Sequence, residues 1–162
     1  SSMNTKKLFI TILFIGIQIA NGQNQPDTVD YTQEHIEFLK EFYMEYVSFD
    51  ENQISGKEAY QNYLSVLEKY CTPSLNEKIL QANKTLELDY NPFIYSQDYS
   101  SALILQTLQV EKYGKQKNLY EVSFCSYKYF KQNNCATTKI KFKVINTENG
   151  CKINAVGNIK GD

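Results

Sequence analysis

The side chains able to do chemistry are few in this chain and widely spaced. Its one histidine, His35, stands beside Glu34, so any nucleophile–base–orienter arrangement would have to be built around it. At the start of an amphipathic helix, such a histidine is expected to be a surface residue rather than a catalyst. Four cysteines, Cys71, Cys125, Cys135 and Cys151, show no CxxC spacing, which speaks against a redox motif or a zinc knuckle. One histidine and scattered thiols give no expectation of a catalytic metal or of any cofactor. The sequence has no glycine-rich phosphate loop and no GxSxG elbow. Glu34, Glu37, Glu41 and Glu45 recur at steps of three and four. They read as the solvated face of a helix, because nothing apolar stands among them to raise a pKa.

A better candidate site lies further on, where Asp89, Gln97 and Asp98 are interleaved with Tyr90, Phe93, Tyr95 and Tyr99. Carboxylates held against aromatic rings can acquire raised pKa values and act as general acids or bases. The same residues also have a structural reading, with Asp98 bonding nearby backbone and the rings filling the edge of the core. As a binding surface, Tyr90, Phe93, Tyr95, Gln97, Asp98 and Tyr99 would make an aromatic patch with a polar rim, Tyr95 and Tyr99 partly exposed. The competing enzymatic reading is a small pocket hydrolase with Asp98 as acid/base.

Charge narrows the partners. All 17 basic residues are lysine, set against 18 acidic ones. Arginine is the favoured residue for bidentate phosphate and base-edge contacts, so nucleic acid is not an expected partner. Thirteen tyrosines favour adaptable aromatic contact with a protein instead.

The compartment is read from the N-terminal stretch. Lys6 and Lys7 form a positive region, Leu8 to Ala20 an apolar run, and Ala20-Asn21-Gly22 a small-residue cleavage site. The run is short of the roughly 20 residues a spanning helix needs. Residues 1–22 are therefore expected to be a signal peptide, with Ser1-Ser2 an expression remnant ahead of Met3. The protein would be periplasmic or secreted after cleavage, touching the membrane only through its signal. Loss of Lys6 and Lys7 shifts the formal charge from −1 to −3 (17 − 2 = 15 lysines against 18 acidic residues). An oxidising compartment permits disulfides. Four cysteines allow three pairings, of which Cys125 with Cys135 is preferred because they flank an expected hairpin turn; four partly buried free thiols is the other reading.

These side chains need elements to position them. Residues 23–30 read as a polar linker and 31–162 as one domain. Ile36, Leu39, Phe42, Tyr43, Tyr46 and Val47 recur at helical spacing and predict a helix from about Thr32 to Phe49. Ser55-Gly56-Lys57-Glu58 reads as a capping box opening a second helix to Tyr70, with Ala59, Tyr63, Leu64, Val66 and Leu67 on its buried side. Thr72-Pro73 supplies an N-cap and Pro at N1 for a third. Asn91-Pro92 marks a turn. Strands are then predicted over Ala102–Tyr113, Leu119–Phe130, Ala136–Ile145 and Cys151–Ile159. In the third of these Ile140, Phe142 and Val144 alternate with Lys139, Lys141 and Lys143. Asn149-Gly150 signals a hairpin. Helices first and an antiparallel meander after them give an α+β layer fold with about four strands.

Phe42-Tyr43, Tyr46-Val47, the run Tyr70-Cys71-Thr72-Pro73-Ser74-Leu75, then Leu88-Asp89-Tyr90-Asn91-Pro92-Phe93 and Gln97-Asp98 carry a resemblance. In these the chain resembles the bacterial exported domain-of-unknown-function family 3828, over about Tyr31 to Ile159. The resemblance implies helices packed on a curved antiparallel sheet, a nuclear-transport-factor-like cone, and an envelope setting. It implies no reaction. The expectation is an envelope binding module without catalysis. Its partner would be a protein, either as an immunity protein meeting a periplasmic antibacterial toxin or as an adaptor.

Overall fold

The computed structural model of the protein describes residues 29–48, 56–85, 90–96, 98–128 and 134–162. The expected signal 1–22, most of the linker, Ser55, Asp89, Gln97 and the turn at 131–133 lie outside the described residues. Four helices and five strands follow in chain order. They are α1 (Thr32–Ser48), α2 (Gly56–Tyr70), α3 (Pro73–Lys84) and α4 (Ser101–Thr107), then β1 (Gln109–Lys112), β2 (Leu119–Lys128), β3 (Cys135–Thr147), β4 (Gly150–Val156) and β5 (Ile159–Lys160). The strands form one antiparallel meander in the order β1-β2-β3-β4-β5. The fold is α+β, as expected, with five strands rather than four.

One face of the sheet is covered by helices. Leu39, Phe42, Tyr43 and Val47 of α1, Val66 and Leu67 of α2, and Leu75 and Ile79 of α3 are fully buried against Tyr120, Val122, Phe124, Ile140, Phe142, Val144 and Ile153 of the sheet. The helices form because these apolar residues fall on one stripe. Ala59 is a correction: it is exposed, as is the whole first turn and a half of α2. The apolar stripe becomes buried only further along that helix. The other sheet face presents Lys139, Lys141 and Lys143 to solvent, by the period-two alternation of a half-buried strand.

Two bulges curve the sheet. Residue pairing skips Ser126 between Cys125 and Tyr127, and skips Asn154 between Ile153 and Ala155; each extra residue bends its strand and increases the twist. The Asn154 bulge also locks the helices to the sheet. Thr72 N–H donates to the Ile153 carbonyl (2.9 Å) and the Thr72 hydroxyl to Asn154 Oδ1 (2.8 Å). The same hydroxyl oxygen accepts from Leu75 N–H as the N-cap of α3. Lys152 reaches from β4 to the last carbonyls of α2, Glu68 and Lys69, where a cation complements the helix end.

The segment predicted as a strand over Ala102–Tyr113 is corrected. It is mostly helix α4, and only Gln109–Lys112 pairs with β2. Ser100 caps that helix through its hydroxyl to Leu103 N–H (3.3 Å). Beyond Ser123, β2 has no β1 partner, so its backbone groups need others. Helix α4 supplies them: the Ser126 carbonyl accepts from Ser100 N–H (3.0 Å), and Cys125 N–H donates to the Thr107 hydroxyl (2.8 Å). Two turns also differ in detail. The β3–β4 loop is Glu148-Asn149, with Gly150 at φ 95° in register opposite Thr147. The expected last strand is broken at Gly157, leaving β5 as a separate two-residue strand.

Candidate functional site

The aromatic loop after α3 is fastened to α1 by two tyrosine hydroxyls. Tyr43 donates to the Phe93 carbonyl (2.8 Å) and Tyr46 to Asn91 Oδ1 (3.0 Å). Burial holds both phenols well above their usual pKa, so they stay protonated and donate. Asn91 organises the turn: its side-chain oxygen also accepts from Phe93 N–H, and its carbonyl accepts from Ile94 and Tyr95 N–H. Asn side chains favour such local bonds.

This anchoring divides the predicted site residues. Phe93 is fully buried, with its ring against Phe42, Tyr46 and Phe142; its expected place in an exposed patch is corrected, because its backbone bond to Tyr43 turns the ring into the core. Tyr99 is half-buried against the core. Asp98 is exposed, and its carbonyl accepts from the Ser96 hydroxyl. Tyr90 and Tyr95 remain 44% and 38% exposed. Their rings meet edge to face, 5.0 Å between centroids, an arrangement that stabilises an aromatic pair.

Tyr95 has a positive φ of 57°, which costs a residue with a Cβ about 1–2 kcal/mol. Its surroundings hold it there. The ring reaches across to the β4–β5 turn and lies over Gly157, itself at φ 56°, where a Cβ would overlap the Tyr95 hydroxyl. The Tyr95 half of the exposed pair is thus held in place by its backbone bond to Asn91 and by Gly157 beneath its ring.

A second cluster was not visible as such in the sequence. His35, expected at the surface, is buried at 1% exposure. Its Nδ1 bonds the Tyr120 hydroxyl at 2.9 Å and its Nε2 bonds Asn146 Oδ1 at 2.7 Å. An amide oxygen can only accept, so Nε2 carries a hydrogen, and in the neutral ring Nδ1 then accepts from Tyr120. Burial is possible because both polar ends are satisfied. The Cys151 thiol lies close by and donates to Glu34 Oε1 (3.3 Å) and Asn146 Oδ1 (3.4 Å). A cysteine, a histidine and an asparagine together suggest thiol chemistry, but the connections are wrong for it. Both imidazole nitrogens are occupied by other partners, and the thiol gives its hydrogen to a carboxylate and an amide. Partial burial first, and then the Glu34 bond, push the thiol from 9.0 up to about 11. A raised thiol pKa favours the unreactive neutral form at every pH below it. Cys151 is therefore expected to react with iodoacetamide at pH 8 about a hundredfold more slowly than an unperturbed thiol. Its rate should rise about tenfold per pH unit and level off only near pH 11, where an unperturbed thiol levels off near 9.0; mass-spectrometric alkylation kinetics across pH check this.

Cys125 and Cys135 are joined by a disulfide with Cα atoms 5.6 Å apart, while Cys71 and Cys151 are free thiols. Among the described residues no three His, Cys, Asp or Glu side chains converge to hold a metal ion, and no helix is long and apolar enough to cross a membrane.

The fold has a solved counterpart. A protein of unknown function from Bacteroides thetaiotaomicron VPI-5482 superposes with a TM-score of 0.63 at 27% identity, over 77% of this chain and 89% of that one. That likeness brings no activity with it. No protein-family model and no curated protein matches the chain.

Proposed function

We propose that the chain is a binding module of the bacterial envelope, working without catalysis and recognising a protein partner through Tyr90 and Tyr95 with Asp98 at their rim. The observation that carries this is the exposed edge-to-face tyrosine pair, in a loop tied to α1 by Tyr43 and Tyr46, with the Tyr95 ring resting over Gly157. Large rings that are already ordered before binding lose little conformational entropy on docking, the property of interface hot spots. The envelope setting rests on the signal-like residues 1–22 and on the resemblance to family 3828. In its narrower form the proposal is an immunity protein that neutralises a periplasmic antibacterial toxin by forming a stoichiometric complex; the broader form is an adaptor.

Capture of partners from envelope extracts tests this, followed by the Tyr90→Ala/Tyr95→Ala variant. The variant should lose at least about 2 kcal/mol of affinity, roughly thirtyfold, by calorimetry or surface binding. Asp98→Asn separates the classes: a binding module changes only in affinity. Undiminished partner binding by the tyrosine variant overturns the reading. So does turnover of a small molecule that needs the Asp98 carboxylate.

A further inference from the structure

The open face of the sheet carries an uncompensated positive site beside the tyrosine pair. The outward lysines of β3 differ in how they are engaged. Lys139 pairs with Glu121 (3.2 Å), and Lys141 sits 4.1 Å over the Tyr113 ring. Lys143 has no ion pair among the described residues, and neither has Lys160 on β5. These two lie in one row across three strands, because Lys143 pairs with Ala155 and Ala155 with Lys160. Adjacent strands are about 4.8 Å apart, so the two backbones stand about 10 Å apart. Between them Ala155 offers only a methyl group, which leaves the floor low. The result is a groove of about 400 Å³, lined by Lys141, Lys143 and Lys160 with Ala155 and Gly157, and with no carboxylate among the described residues of its wall.

Gly157 joins this groove to the candidate site, since it lines the one and carries the Tyr95 ring of the other. Resting on the reading that a protein docks through Tyr90 and Tyr95, we infer that the partner presents an acidic segment, with an Asp or Glu carboxylate seated between Lys143 and Lys160. Two ammonium groups on long stems can converge over Ala155 and supply the charge-assisted hydrogen bonds a carboxylate needs. The planar, bidentate geometry suited to nucleic-acid phosphates is missing without arginine. Complementary charge of this kind sets orientation and on-rate, and weakens with salt.

The test uses the whole exported chain and two readouts. In the first, poly-L-glutamate is titrated into protein carrying ¹³C-dimethylated lysines. Lys143 and Lys160 should show saturable shifts larger than those of Lys78 and Lys139, which already hold carboxylates. Lys143→Gln/Lys160→Gln should weaken binding of the polymer about tenfold or more, and raised salt should act in the same direction. This arm does not depend on the tyrosines. In the second, the captured envelope partner is measured against the same variant and against Tyr90→Ala/Tyr95→Ala. Loss of binding in both supports the inference. Loss with the tyrosine variant alone leaves the docking reading standing and overturns the acidic-segment inference. Equal shifts at all lysines overturn it as well, and so does binding of inorganic phosphate or phosphatidylglycerol vesicles at these lysines as tight as the polymer. All these lysines are exposed, so the substitutions leave the core intact.

Discussion

Phe42→Ala is expected to remove about 3–5 kcal/mol of folding stability, the range for deleting a fully buried aromatic ring. Phe42 has no exposure and stands at the meeting point of the helices, the loop and the sheet. Its ring lies 5.0–5.3 Å from those of Tyr43, Tyr46, Tyr70 and Phe93, and 6.5 Å from Phe142. None of these neighbours can collapse into the space without leaving its own partners, so the void persists. In a domain whose total stability is about 5–15 kcal/mol, this is a large fraction. Urea denaturation should show a much lower midpoint with an unchanged slope. The loss should also reach the candidate site, because Phe93 is the residue on which the tyrosine loop rests; partner affinity should fall along with stability. Met44, 59% exposed on the same helix, is the control, and its alanine variant should stay within about 0.5 kcal/mol. A cost below about 1 kcal/mol for Phe42→Ala would contradict the packing described.

His35→Ala should cost about 1–3 kcal/mol by a different route. No large apolar group is lost; instead the Tyr120 hydroxyl loses its imidazole partner, and Asn146 Oδ1 loses the imidazole N–H while keeping the Cys151 thiol. A buried polar group without a partner carries a desolvation cost of about 1–3 kcal/mol. Asn146 is exposed, so the larger share should come from Tyr120, 1% exposed, whose hydroxyl would be left with the Thr32 side chain as its neighbouring partner. A double-mutant cycle with Tyr120→Phe isolates the shared bond. The two substitutions should be non-additive by about 1 kcal/mol, since the second removes a hydroxyl that has already lost its bond to the imidazole. Strict additivity would mean that the imidazole and the phenol do not stabilise each other.

These two residues also mark how far the sequence could be read. Phe42 declared itself, because the apolar residues of α1 recur at steps of three and four and no other period fits. Thr72-Pro73 likewise announces the start of α3 through chemistry confined to neighbouring residues. The alternation of β3 fixes which side chains face the helices. His35 could not declare itself, since its partners lie 85 and 111 positions away and no local pattern encodes them. The Ala102–Leu105 run lacks a period. Its helical state is settled by the Ser100 cap and by the β2 backbone groups beyond Ser123, where β1 pairing ends and Ser100 and Thr107 supply the bonds instead. In the aromatic loop, composition picked out the right stretch but not the rings that stay outside. Phe93 turns inward and Tyr95 outward because Tyr43 and Asn91 bind the intervening backbone, a choice made by α1 rather than by the loop.

The narrow borders of the sheet have a consequence for how a partner can be gripped. One border is β1, four residues long, and the other is β5, two residues long. Along β4 the backbone oxygens that would extend past β5 are already taken, Ile153 by Thr72 and Asn154 by Gly161. Exposed strand borders invite a visiting chain to join as an additional strand, and that mode of capture reads main-chain groups with little regard to sequence. Here β1 and β5 offer few amides and carbonyls to seat one, and the longest stretch of the sheet without a second strand partner among the described residues is Cys135–Ile140 of β3. On the proposed binding role, recognition at these two borders would run through side chains projecting from the surface rather than through main-chain groups of β1 and β5.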